Sequence, residues 1–175
     1  MKRARNEIEG IALKAARGAG VPLGHAEDFA RAIGTLTMAA PGEISNLTNV
    51  LSGPFDVASS DDPLTLDGPI LMCAPLAIDA LRAGESTVIL RRTEPEALLN
   101  AYLRNAMQDY DLYVKHSGGV LTALPAGDPA PLPTAPMNIP DHIWQEWEAL
   151  AAKTYVPETE ESRLAGAGAG LTDND

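Results

Sequence analysis

Two residues of this sequence could do covalent or acid–base chemistry, and the first is Cys73. It ends the apolar run PILMC, which predicts a short buried strand over residues 69–73, and Ala74-Pro75 opens a predicted helix. The dipole and free N–H groups of a helix N-terminus favour a thiolate, so a cysteine in this position is a candidate catalytic nucleophile. The alternative is that Cys73 packs as a small buried hydrophobic residue, which is the commoner role of a free cysteine.

The second residue is His25, a candidate general base. It follows Gly24 and precedes Glu27 and Asp28, so two carboxylates lie close to it along the chain. An imidazole exchanges its proton near neutral pH, which suits acid–base catalysis. The simpler interpretation is that Gly24 or His25 begins a helix whose first turn favours the acids that follow.

Two segments combine an arginine with closely spaced glycines, and together they predict a site for a small anionic metabolite. Successive backbone N–H groups can form an anion-binding concavity, and a guanidinium can grip a carboxylate or phosphate. Each segment also has a simpler explanation, a helix C-cap for the first and a frayed acidic tail for the second. A dinucleotide-binding fingerprint is not supported, because the first glycines follow a predicted helix and not a strand. The candidate ligand-binding residues are Arg17, Gly18, Gly20, Ser162, Arg163, Gly166 and Gly168.

Other site chemistries find no motif in this sequence. The histidines at 25, 116 and 142 do not have metal-ligating spacing, and one cysteine allows neither an intrachain disulfide nor a cysteine-rich metal site. A G-x-S-x-G nucleophile elbow does not occur. The sequence therefore predicts no metal site and identifies no cofactor.

The formal charge of −11 argues against two classes of partner. Nucleic acids and anionic membrane surfaces both require a basic face, so neither is an expected partner. The basic N-terminus is not followed by a continuous apolar core, so it does not predict a secretory signal. No run approaches the roughly 18 apolar residues that span a bilayer. These features favour a cytoplasmic protein.

Periodicity predicts one α/β domain over residues 1–175. Helical spacing predicts a helical front at 1–51, with Phe29, Ile33 and Leu36 facing inward. Turn-forming residues at 52–67 predict a connection to an α/β part at 68–124. Short apolar or β-branched runs alternate there with helical periods, which predicts a small mixed sheet with crossover helices. The predicted helices are 6–19, 26–37, 43–51, 75–83 and 95–108, and the predicted strands are 69–73, 87–91, 111–115 and 120–124.

Three segments complete the predicted layout. Six prolines between residues 125 and 140 predict a stiff, extended strap. A helix at 141–153 carries Trp144 and Trp147 on its apolar face, and a glycine-rich tail occupies 154–175. We expect this helix and the tail to contact a second copy of the chain, so the sequence predicts a homo-oligomer.

Two parts of the sequence resemble a family of short bacterial proteins known as a domain of unknown function. The resemblance rests on the N-terminal KAARGAG and GHAE segments and on SRLAGAGAGLTDND at the C-terminus. It implies a stand-alone bacterial protein and supplies no activity, cofactor or catalytic residue.

Two functions remain open at this point. The first is a small-molecule binding protein or enzyme that holds an anionic metabolite between the two arginine–glycine segments. The second is a non-catalytic interaction or accessory subunit that uses the tryptophan-bearing helix and the tail as its contact surface.

Overall fold

Helices make up most of the part of the chain that the structure describes. The computed structural model describes residues 2–47, 49–125, 127 and 137–154. Its α-helices are α1 (Arg5–Gly18), α2 (Leu23–Ala39), α3 (Ile70–Ala83), α4 (Glu96–Tyr110) and α5 (Asp141–Ala152), with a 3-10 helix at Pro41–Leu47. The strands are β1 (Lys2–Arg3), β2 (Ala58–Asp61), β3 (Leu64–Asp67), β4 (Thr87–Leu90), β5 (Tyr113–Ser117), β6 (Val120–Leu124) and β7 (Met137–Asn138).

Five of the strands form a mixed sheet, which confirms the predicted α/β class. The strand order is β2-β3-β4-β6-β5. β3 and β4 are parallel and are joined through α3, whereas the other neighbouring pairs are antiparallel. The predicted hairpin of β5 and β6 is confirmed, and Gly118 and Gly119 turn it with φ angles of 56° and 82°. β1 and β7 form a separate antiparallel pair, which joins the N-terminus to the segment before α5.

The helical part of the core lies where α1, α2 and α5 meet. The inward positions predicted for α2, Phe29, Ile33 and Leu36, are buried, and so is Ile8 of α1. Trp147 of α5 is fully buried and meets Phe29 edge to face, with ring centroids 6.2 Å apart. The tryptophan-bearing helix therefore packs on the chain's own helices through Trp147.

The predicted strand at 69–73 is wrong, because these residues begin α3. Pro69 is the N-cap, and Ile70, Leu71 and Cys73 are all buried in the first turns of the helix. A short continuous apolar run is typical of a buried strand and of a buried helix alike, so periodicity does not separate them. Pro75, which was expected to open a helix, lies inside this one.

The predicted connection at 52–67 also needs correction, because it contains the β2–β3 hairpin. Every residue of β2 is exposed, so the strand lacks the alternation of apolar and polar residues by which strands are recognised. The segment predicted as a helix at 43–51 is a 3-10 helix and a turn, although its apolar residues Ile44, Leu47 and Leu51 are buried as expected.

Most of the predicted proline-rich strap and nearly all of the predicted tail lie outside the described residues. Among the residues that are described, no helix combines the length and apolar character needed to cross a bilayer.

Candidate functional site

A cleft opens between α2, α3 and α4, and two of the polar side chains that line it have no hydrogen-bond partner among the described residues. We call it the helical cleft. It encloses about 390 Å³ of space between protein atoms, including space open to solvent. Its lining residues are Asp28, Arg31, Pro75, Ile78, Asp79, Tyr102, Asn105, Ala106, Asp109 and Tyr110.

Helical spacing explains why these side chains meet. Residues three or four positions apart lie on one face of a helix. On α2 this places Asp28 and Arg31 together, and on α4 it places Tyr102, Asn105 and Asp109 in one row. Because α2 and α4 pack against each other, the two rows face one another across the cleft.

Tyr102 is the most unusual residue of the cleft. It is only 2% exposed, and its buried hydroxyl has no hydrogen-bond partner among the described residues. Burial raises the pKa of the phenol well above its ordinary value, and the nearby charge of Asp28 raises it further. A buried hydroxyl without a partner costs about 1–3 kcal/mol, so a group that satisfied it would recover that free energy.

Asp28 is a half-buried carboxyl that faces the same space. Burial raises its pKa above the ordinary value, the charge of Arg31 opposes this, and the charge of Asp79 adds to it. No side-chain hydrogen bond to Asp28 is present within the described part of the chain. Asp28 and Tyr102 are therefore two polar groups that share a cleft and lack direct hydrogen-bond partners.

The neighbouring polar residues, in contrast, are already paired. Arg31 of α2 forms an ion pair with Asp109 of α4. The Thr35 hydroxyl donates to the Asn105 side-chain oxygen at 2.6 Å. These two cross-helix contacts fix α2 against α4 at the cleft that Asp28 and Tyr102 line.

α3 forms the third wall. Pro75 and Ile78 give it an apolar surface, and Asp79 stands at its exposed edge. Arg82 lies 3.3 Å from Asp79, and its guanidinium lies 3.7 Å from the centre of the Tyr110 ring. The cleft thus combines polar groups without hydrogen-bond partners, an apolar surface on α3 and the exposed charge of Asp79.

The structure places the predicted site residues Arg17, Gly18 and Gly20 in a helix C-cap. The N–H of Gly20 donates to the carbonyl oxygen of Arg17 at 3.0 Å, and that of Val21 donates to Ala16 at 2.9 Å. These are the two hydrogen bonds of a Schellman motif, and Gly20 has the left-handed φ of 97° that the motif requires. Both N–H groups are thereby engaged within the chain and are not free to bind an anion.

Gly18 has a separate structural role. A Cβ atom at this position would lie 1.9 Å from the carbonyl oxygen of Leu150 on α5. The glycine therefore allows the backbones of α1 and α5 to approach closely, which accounts for it without a ligand.

Cys73 does not lie at the end of a strand, because the predicted strand at 69–73 is the start of α3. The residue is fully buried inside α3. Burial raises the pKa of its thiol to about 11, with the charge of Arg92 opposing the effect and that of Asp67 adding to it. A buried, protonated thiol fits the core-packing alternative.

The predicted general base His25 lies close to Asp28 of the helical cleft. It is in the first turn of α2, one helical turn before Asp28, and its charge influences the pKa of that carboxyl. Its Nε2 atom is buried without a hydrogen-bond partner in the described chain. The remaining predicted residues, Ser162, Arg163, Gly166 and Gly168, lie outside the described residues.

Sequence reasoning missed the rest of the cleft, although a signal was present. Asp28 enters the sequence prediction only as a residue that follows His25, and Tyr102 does not enter it as a site residue. The signal is that polar residues recur at spacings of three and four in two helical segments, Asp28 and Arg31 in one and Tyr102, Asn105 and Asp109 in the other. In a single sequence that pattern is not distinguishable from a solvated helix face until the packing of the helices is known.

A family model described as a protein of unknown function (DUF3726) matches residues 3–85. The resemblance to a family of unknown function therefore has support over this part of the chain, and it brings no activity with it. The match covers α1, α2 and α3, including Asp28, whereas α4 with Tyr102 lies beyond it. No curated protein and no solved structure matches the chain.

Proposed function

We propose that the protein binds a small polar molecule in the helical cleft. The observation that carries the proposal is the buried Tyr102 hydroxyl, which has no partner in the described chain and lines the same space as Asp28. Small-molecule sites combine apolar walls with a few convergent polar groups and ionisable residues whose pKa is shifted. The helical cleft has all three features.

This proposal keeps the predicted class of small-molecule binding but moves the site. The glycine turn at 17–20 uses its N–H groups for helix capping, and the second glycine segment lies outside the described residues. Catalysis is not part of the proposal, because Cys73, the one predicted nucleophile, is buried in the core within α3.

The test is a ligand screen read by amide chemical shifts of the full-length protein. The panel contains small amines, amino acids, carboxylates, sugars and nucleosides. We expect at least one compound to shift amides around Asp28, Asp79 and Tyr102, and Tyr102→Phe to weaken its binding. Tyr113→Phe, the same chemical change on β5, should leave the affinity unchanged.

The stability of Tyr102→Phe distinguishes a lost contact from a damaged fold. The variant removes a hydroxyl that has no partner, so its free energy of unfolding should stay the same or rise by about 1 kcal/mol. The proposal fails if no panel member shifts the cleft amides, or if every binder shifts amides elsewhere and tolerates Tyr102→Phe.

The alternative, an interaction or accessory subunit, has less support. Trp147 packs inside the chain, which leaves Trp144 as the partly exposed tryptophan of α5. The Trp144 ring already has the Arg3 guanidinium 4.1 Å from its centre, and its Nε1 donates to Glu148 at 2.6 Å. Homo-oligomerisation through this helix stays a prediction, and light scattering on the purified protein measures it directly.

A further inference from the structure

We infer that the ligand of the helical cleft carries a primary ammonium group on a compact hydrocarbon body. This inference rests on the proposed function, since it names the chemical class that the same cleft would take. Three features carry it: the balance of charge around the cleft, the polar groups that lack partners, and the apolar walls.

The charges that line the cleft favour a cation. Its lining contains the carboxylates of Asp28, Asp79 and Asp109 and the single guanidinium of Arg31. Arg31 is already paired with Asp109, so this pair contributes little net charge. The Asp28 carboxylate remains unpaired, and Asp79 has a 3.3 Å contact with Arg82 in which both side chains are largely exposed. An anion entering the cleft would meet repulsion from Asp28 and would find the guanidinium of Arg31 engaged.

Hydrogen-bond chemistry favours a cation that carries N–H donors, and an ammonium is the most compact of these. The Tyr102 oxygen and the Asp28 carboxylate can both accept hydrogen bonds, and an ammonium provides three donors and no acceptor. One such group donating to both residues would give the buried Tyr102 oxygen a hydrogen-bond partner and would restore to Asp28 part of the stabilisation that it loses on leaving water. Charge-assisted hydrogen bonds of this kind are among the stronger ones in proteins.

A metal ion fits the cleft less well. Metal sites need several oxygen, nitrogen or sulfur ligands at short distances around one point. Within the described ranges, no group of three or more His, Cys, Asp or Glu side chains is arranged to hold a metal ion. An organic cation needs only the two acceptors that the cleft provides.

The apolar lining of the cleft indicates the nature of the rest of the ligand, to which the ammonium group is attached. Pro75, Ile78 and Ala106 line the cleft with aliphatic surface, and Tyr110 adds an aromatic ring at the mouth. A short alkyl chain would remove this surface from water as it binds, at about 25 cal/mol for each Å² of apolar area. The limited volume selects a compact molecule. The protein's net charge of −11 would also raise the local concentration of any cation.

The experiment compares three probes that differ in one functional group: n-butylammonium, 1-butanol and butyrate. Each is titrated into the full-length protein and followed by amide chemical shifts. We expect n-butylammonium to shift amides around Asp28 and Tyr102. 1-Butanol should bind about tenfold more weakly, and butyrate should leave the cleft amides unchanged.

Two variants test the role of the carboxylate. Asp28→Asn keeps the size of the side chain and should weaken n-butylammonium binding by about tenfold or more. Glu27→Gln removes the same charge from the same helix at an exposed position outside the cleft lining, and it should change the affinity by less than about threefold. If Asp28→Asn is poorly folded, Tyr102→Phe provides the second variant, because it keeps the charge and should still weaken binding.

The outcomes separate this inference from the proposed function. Butyrate or 1-butanol binding in the cleft as tightly as n-butylammonium would overturn the ammonium class and leave small-molecule binding in place. Equal losses in Asp28→Asn and Glu27→Gln would show general attraction to an acidic protein and would also overturn it. If none of the three probes shifts the cleft amides, the inference is wrong, whereas the proposed function depends on the broader panel.

Discussion

At the scale of single residues, burial has opposite consequences for Cys73 and for the pair Asp28 and Tyr102. The Cys73 thiol is a weak hydrogen-bonding group and loses little when it is packed inside α3. The Tyr102 hydroxyl loses its hydrogen bonds to water and no described residue replaces them, and partial burial raises the pKa of the Asp28 carboxyl. Native proteins contain few such groups, and those that persist call for an explanation. A bound ligand is such an explanation, because its hydrogen-bond donors would reach the Tyr102 oxygen and the Asp28 carboxyl.

The first residue-scale prediction concerns Asp28 and pH. Burial raises the folded pKa of this carboxyl above the unfolded value of about 3.8, so the native state binds its proton more tightly than the unfolded chain does. The contribution of Asp28 to stability is therefore complete below about pH 3.8 and is lost as the pH rises through the raised folded pKa. Asp28→Asn should not show this loss, and its stability relative to the natural protein should increase with pH across that window.

Urea unfolding of both proteins between pH ~3 and ~7 measures the difference. The charged groups that act on the pKa of Asp28 are Arg31, His25 and Glu27 from α2 and Asp79 from α3. The same comparison with Glu85→Gln, at an exposed position that is not among these groups, is the control. A stability difference that stays constant over this range, or one that falls with increasing pH, would contradict the raised pKa.

The second residue-scale prediction concerns the reactivity of Cys73. Since the thiol is buried and its pKa is raised to about 11, the folded protein should react with a thiol reagent at pH ~8 far more slowly than the urea-unfolded chain. The labelling rate measured by absorbance with an aromatic disulfide reagent gives the comparison. Rapid labelling of the folded protein would restore Cys73 as a candidate nucleophile and would count against its role in the core.

At the scale of elements, the contact between α1 and α5 depends on Gly18. A Cβ atom there would lie 1.9 Å from the Leu150 carbonyl oxygen, and backbone cannot move aside as a flexible side chain can. Gly18→Ala should therefore lower the free energy of unfolding by about 1–3 kcal/mol, the usual cost of overpacking. It should also perturb the fluorescence of Trp147, which α5 holds in the core.

Gly10 offers a matched control within the same helix. A Cβ atom at Gly10 would have no neighbour within 4 Å, so alanine there should raise the free energy of unfolding by about 0.5–1 kcal/mol through its better helix propensity. Chemical denaturation of the two variants under the same conditions tests the pair. Similar effects of the two substitutions would show that α1 and α5 do not approach closely at Gly18.

Element-scale prediction from sequence succeeded where one face of an element is buried. The repeat in α2 placed Phe29 inward correctly, and paired glycines placed the β5–β6 turn. It failed for α3, whose early residues are buried almost all around, so the run PILMC carries no helical period. It also failed for β2, which is exposed throughout. The helical cleft was not predictable because its polar residues acquire meaning only when α2 and α4 are placed side by side.

At the scale of the whole molecule, the segment that the family model matches, residues 3–85, could not bury its apolar core by itself. The match at residues 3–85 includes α1, α2 and α3. Yet α1 packs against α5, α2 packs against α4, and β3 pairs with β4, so all three partners lie beyond the match. α1 and α2 also pack against each other, but much of the rest of the apolar surface of the matched helices is covered by elements that follow the match.

A fragment ending at Glu85 should therefore fail to fold cooperatively. It would expose Phe29, which the natural chain covers with Trp147, and it would leave β3 without its parallel neighbour. The free energy of unfolding of a domain is only about 5–15 kcal/mol. Losing the apolar burial of these contacts is therefore enough to unfold the fragment. Thermal unfolding followed by circular dichroism, together with amide shift dispersion, compares the fragment with the full chain. A cooperative transition in the fragment would mean that residues 3–85 fold as a separate domain, against the predicted single domain of residues 1–175.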